Sequence, residues 1–177
     1  MRIMEEMGRK EGKPNWIFLL GAGYAFWASR DFTPAEQEFS TYTSVINGGT
    51  GILYWASHPK SKSQWQRIKG LFHELKELTP VIASSSNAPS VKCSAPSIQL
   101  LTKRQGDAVY LITVNSSKEP VAARFDLSAL NIKGENNLVE VLFENRQIKA
   151  INSAMEDRFE GFQRHVYRVE TNGGKKP

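Results

Sequence analysis

Four residue patterns in this chain could carry chemistry, and each is thin. The apolar run Ile52 to Ala56 closes on Trp55, Ser57 and His58, an aromatic platform with two polar neighbours. His73 and Glu74 are adjacent within a helical pattern, where neighbouring side chains point in different directions and cannot share a metal ion. Cys93 is the single cysteine, which excludes an internal disulfide or a thiolate cluster and leaves the redox compartment open. "GAGYAF" at 21–26 holds a G-x-G without the third glycine and leads into a loop, a weak signal for a dinucleotide. No H-E-x-x-H, Walker-type loop or G-x-S-x-G occurs. No cofactor or metal is implied.

Composition narrows the class. The 177 residues are 40% hydrophobic and 23% charged, the balance of a globular chain of one ordinary domain or two small ones. The net charge of +5 is spread from Arg2 to Lys176 without the dense basic run and interleaved aromatics of a single-strand binder. Nucleic acid is not expected as a partner. The longest apolar window, Trp16 to Trp27, is shorter than the roughly 18 residues of a membrane-spanning helix, so no membrane span is expected. "MRIMEEMGRKEGK" has no hydrophobic signal core and reads as a charged helix with Ile3, Met4 and Met7 on one face. The compartment stays open.

The elements that must position these residues change type along the chain. "KPNWIFLL" (13–20) reads as a strand introduced by Pro14. Thr33, Pro34 and Glu36 specify a helix start: an N-cap, a proline in the first turn and a capping-box carboxylate. Ala35, Phe39, Tyr42 and Ile46 then recur at helical spacing until Gly48 and Gly49. A strand over 51–57, apolar on both faces, precedes a second helix from about Ser63, with Trp65, Ile68, Phe72 and Leu75 on one face and Leu71 and Leu78 widening it. Pro80 is expected to end that helix, and Glu74, Glu77, Lys69, Lys76 and Arg67 to form its solvated side. This order predicts part of a parallel α/β structure with right-handed crossovers. The serine-rich stretch 81–96 reads as a linker, followed by short alternating segments over 97–171 that predict a small antiparallel β-sandwich. Phe159, Phe162, Tyr167 and Val169 are its expected core, His165 has no assigned role, and no aromatic strip marks a carbohydrate surface. Residues 172–177 form the expected tail.

"RDFTPAEQEFSTYTSVINGGTGILYWASHP", "WQRIKGLFHELKELTPVI" and the closing "MEDRFEGFQRHVYRVE" together resemble the C-terminal portion of a TIM-barrel glycoside hydrolase with its following β-sandwich. The resemblance covers nearly the whole chain and is weakest over 81–135. It implies α/β followed by all-β: the last two βα units of an incomplete (β/α)8 barrel over 1–80, from a sixth helix at 1–12 to an eighth helix at 63–79, then the sandwich.

For such an enzyme the resemblance implies hydrolysis of O-glycosidic bonds between two carboxyl groups. It puts the acid/base before this segment and a nucleophile at the end of strand 14–20, where Gly21, Ala22 and Gly23 stand instead, with no Asp or Glu between Lys13 and Arg30. The chain is therefore expected to be inactive alone, with a carbohydrate as the parent's partner. An alternative is a non-catalytic carbohydrate-binding or structural module that pairs with another chain. Trp55, at the barrel face where such sites are built, is implied as a sugar-stacking platform, with His58, Tyr24 and Trp27 as further substrate contacts and Asp31 capping the following turn. Self-association through exposed strand edges is expected. A secreted or periplasmic parent would fit the resemblance.

Overall fold

In the computed structural model, residues 14–21, 30, 32–55, 59, 61–86, 88–132 and 138–172 are described. The expected helix over 1–12 lies outside them, as do Asp31 and residues 56 and 57 of the expected 51–57 strand. The described residues are mostly sheet with two long helices. It divides into two compact units, Met1–Thr79 and Pro80–Pro177.

The first unit holds strand β1 (Trp16–Leu20), helix α1 (Pro34–Ile46), strand β2 (Gly51–Trp55) and most of helix α2 (Lys62–Ile82). β1 and β2 pair in parallel, from Trp16 opposite Gly51 to Leu20 opposite Trp55. The start of α1 forms as its residues dictate. Thr33 Oγ1 accepts from the Glu36 N–H at 3.2 Å, while Glu36 Oε2 accepts from the Thr33 N–H at 2.8 Å. Gly48, just past the helix, takes the left-handed φ of 90° that a side chain would resist.

The buried faces of both helices differ from those expected. In α1 the hidden residues are Gln37, Thr41, Tyr42, Ser44 and Val45, whereas Ala35 is exposed and Phe39 and Ile46 are half-buried. Polar side chains bonded to one another can occupy an interior face as well as apolar ones, and hydrophobic spacing does not report them. In α2, Ile68, Leu71 and Leu78 are buried, but Trp65 and Phe72 are exposed. Glu74, expected on the solvated side, is buried between Tyr42 and Arg67. Nor does Pro80 end α2, which runs on to Ile82. A proline costs a helix one N–H bond and crowds the preceding turn, a smaller loss near the C-terminus than in mid-helix.

The second unit is antiparallel. A five-stranded sheet runs in the order β4 (Ile98–Gln105), β5 (Ala108–Asn115), β10 (Arg164–Glu170), β7 (Leu138–Leu142), β8 (Arg146–Lys149). A three-stranded sheet runs β3 (Lys92–Cys93), β6 (Val121–Asp126), β9 (Ala154–Phe159). Both contribute to one core in which Leu111, Phe125, Met155, Phe159, Tyr167 and Val169 are buried. Alternation explains it: β6 buries Ala123 and Phe125 and exposes Ala122, Arg124 and Asp126. Phe162, expected in the core, is only half-buried, in the turn before β10 with φ 63°. The 81–96 stretch is more than a linker, since β3 pairs with β6 and Val91 and Ala95 enter the core.

Candidate functional site

The parallel strand pair has two unlike faces. Ile17, Leu19, Ile52 and Tyr54 project to one side. There Tyr54 meets Phe72 edge to face at 5.5 Å between ring centroids. The Tyr54 hydroxyl lies 2.6 Å from Thr41 Oγ1, whose own proton is donated to the Gln37 carbonyl at 2.7 Å, so Tyr54 is the donor. Burial raises its pKa.

The opposite face carries Trp16, Phe18 and Leu20 beside Gly51, Leu53 and Trp55. Trp16, Phe18 and Trp55 are 57%, 64% and 62% exposed. A β-carbon on Gly51 would stand 2.9 Å from the Trp16 ring, so the glycine lets that indole lie across β2. Trp55 thus presents its ring at the C-terminal end of the pair.

That end is fixed from behind. The Gly21 N–H donates to the Trp55 carbonyl at 2.8 Å. Gln64, buried in the first turn of α2, donates from Nε2 to the Gly21 carbonyl at 3.3 Å and to Gln37 Oε1 at 3.2 Å. Deeper between the helices, Tyr42 donates to Glu74 Oε2 at 2.7 Å, and Arg67 bridges Glu74, also at 2.7 Å, and Glu38. These bonds position Trp55 but supply no acid or base to the exposed face. Neither β1 nor β2 contains Asp or Glu. Of the sequence-predicted contacts the structure places Trp55; Tyr24, Trp27 and His58 lie outside the described residues.

A second polar cluster lies in the antiparallel unit, and sequence reading missed it. Glu144, in the turn between β7 and β8, accepts from Arg146 Nε at 2.8 Å and Arg164 Nη1 at 2.9 Å, and lies 2.6 Å from His165 Nδ1. Arg146 also pairs with both oxygens of Asp157 at 3.2 and 2.7 Å. The buried Tyr167 hydroxyl donates to Asp157 Oδ2 at 2.8 Å. Burial disfavours ionised Glu144, but the hydrogen bonds and charges of His165 and Arg146 prevail and hold its pKa below the ordinary value. Burial and the Asp157 carboxylate push Tyr167 well up. The one available signal was that His165, Tyr167 and Val169 sit two apart, so a histidine sharing a face with core residues needed buried partners. Among the described residues, no group of three or more His, Cys, Asp or Glu side chains could hold a metal ion. Nor is any described helix long and apolar enough to cross a membrane.

Comparison with known proteins places this fold. No family model matches the sequence, and no curated protein matches it. Solved structures do. The maltogenic α-amylase from Thermotoga neapolitana superposes at a TM-score of 0.63 with 10% identity, covering 95% of this chain and 44% of that one. The α-amylase from Geobacillus thermoleovorans, solved with acarbose, gives 0.59 with 11% identity over 79% of this chain and 34% of that one. A family 30 xylanase from Clostridium acetobutylicum gives 0.55 with 11% identity over 94% and 45%. These neighbours are glycoside hydrolases, and the chain spans less than half the length of each. At such identities the likeness is one of fold.

Proposed function

We propose that this chain is the carbohydrate-facing C-terminal portion of a barrel glycoside hydrolase. On this reading β1, α1, β2 and α2 are the last two βα units of an incomplete (β/α)8 barrel, and residues 97–171 are the β-sandwich that follows it in sequence. Hydrolysis of O-glycosidic bonds belongs to the longer parent, and the chain alone is inactive. The observation that carries the reading is Trp55, exposed on the open face at the C-terminal end of a parallel strand pair, where barrel enzymes build their sites. An indole there offers a flat apolar surface to a sugar ring. His58 follows β2 in sequence, and Tyr24 and Trp27 follow β1, so these residues are proposed as further contacts.

The lack of an acidic residue on either strand favours a binding role for these residues over a catalytic one. Titration of the full chain with maltotriose and with xylotriose, followed by tryptophan fluorescence, tests it. A saturable change that Trp55→Phe abolishes is expected, together with no release of reducing sugar. An unchanged response in Trp55→Phe overturns the stacking role, and turnover by the chain alone overturns its inactivity.

A further inference from the structure

The turn that joins β7 to β8 has an unusual residue in an unusual conformation. Phe143 has φ 67° and Asn145 φ 51°. Asparagine tolerates this left-handed region, but an aromatic residue there is strained and persists only where its surroundings impose it. Glu144, between the two, is drawn inward by Arg146, Arg164 and His165, and this anchor fixes the turn from inside. Phe143 is stacked against the Arg164 guanidinium, 5.5 Å from the ring centroid.

Phe143 and Asn145 line a groove of about 450 Å³ together with Glu140, Arg146 and Gln147. Its charges are already matched. Arg146 is held by Asp157 and Glu144, and Glu140 by Arg168. What the groove offers a ligand is one rigidly held aromatic ring, two amide side chains with both donors and acceptors, and no net uncompensated charge. We propose that this groove is a second binding site, for a neutral oligosaccharide: Phe143 packs against a sugar ring, and Asn145 and Gln147 exchange hydrogen bonds with its hydroxyls. The choice of carbohydrate rests on the reading of the Trp55 face, but the site is separate from it. It performs no chemistry and would hold a polymer chain to the protein.

The test is an amide-resolved NMR titration of the full chain with maltotriose, xylotriose and the anionic trimer of galacturonic acid. The expected result is saturable shifts of the Asn145 and Gln147 side-chain amides with at least one neutral trimer and none with the acidic one. Phe143→Gly, which the left-handed φ accommodates, should keep the melting temperature and weaken binding at these amides about fivefold to tenfold, the loss of one stacked ring. Shifts confined to β1 and β2 overturn this site and leave the Trp55 reading standing; shifts confined to the β7–β8 turn do the reverse. Binding unaffected by Phe143→Gly, or preference for the acidic trimer, also overturns the proposal.

Discussion

At the scale of single residues, the most informative side chains are charged ones whose partners fix their ionisation. Glu36 accepts from both terminal nitrogens of Arg30 at 2.7 Å, and this, opposed by slight burial, lowers its pKa from 4.5 to about 2. A depressed carboxyl contributes stability that is present above its unfolded value and lost as the pH falls through the folded one. Carboxyl NMR should place the Glu36 midpoint near 2, and Arg30→Gln should move it back towards 4.5. Because Arg30 is largely solvent-exposed, salt should weaken the pair. Thr33→Ala removes the cap itself and should cost about 1 kcal/mol in denaturant unfolding. The antiparallel unit is more sensitive. Glu144→Gln exchanges a carboxylate for an amide opposite Arg146, Arg164 and His165, and a loss of about 2 kcal/mol is expected. Tyr167→Phe should cost about 1 kcal/mol, since Asp157 keeps Arg146.

At the scale of elements, two glycines answer to different physics. A β-carbon at Gly161, in the turn between β9 and β10, would stand 2.0 Å from the Lys118 carbonyl oxygen. Backbone cannot swing aside as a side chain can, so Gly161→Ala should displace that turn and cost about 1 to 3 kcal/mol by thermal melt. Gly106, between β4 and β5, has open space around it but φ 58°, and Gly106→Ala should cost only about 1 kcal/mol from backbone strain. Legibility followed the same division between local and distant causes. The capping box at Thr33, the parallel strand pair and the alternation of β4, β5, β6 and β10 were all readable from neighbours in sequence. β3, β8 and β9 carry weaker signals in sequence, because two of them are short and "AMEDRF" and "RQIK" carry charges on positions that pair across sheets. Phe143 continues the apolar pattern of "LVEVL" in sequence yet leaves the strand, drawn into the turn that Glu144 anchors.

At the scale of the whole chain, Trp16, Phe18, Leu53 and Trp55 form an exposed aromatic and aliphatic face, on a sheet that has two strands among the described residues. Such a face favours association. Light scattering of the purified chain should show concentration-dependent oligomers, and Phe18→Ser with Leu53→Ser should raise the monomer fraction without lowering the melting temperature. A monomer at all concentrations would count against the incomplete-barrel reading. The amino-acid sequence alone determined what depends on residues close along the chain: helix starts, strand alternation, the shift from α/β to all-β, and the absence of acidic residues where β1 ends. Only the tertiary structure decided which side of β2 Trp55 faces, that Gln64 reaches back to the end of β1, and that Glu144, Arg146, Asp157, His165 and Tyr167 converge. Hydrogen bonds and ion pairs act over a few ångströms, and Gln64 and Gly21 lie 43 positions apart, a spacing no periodic pattern encodes.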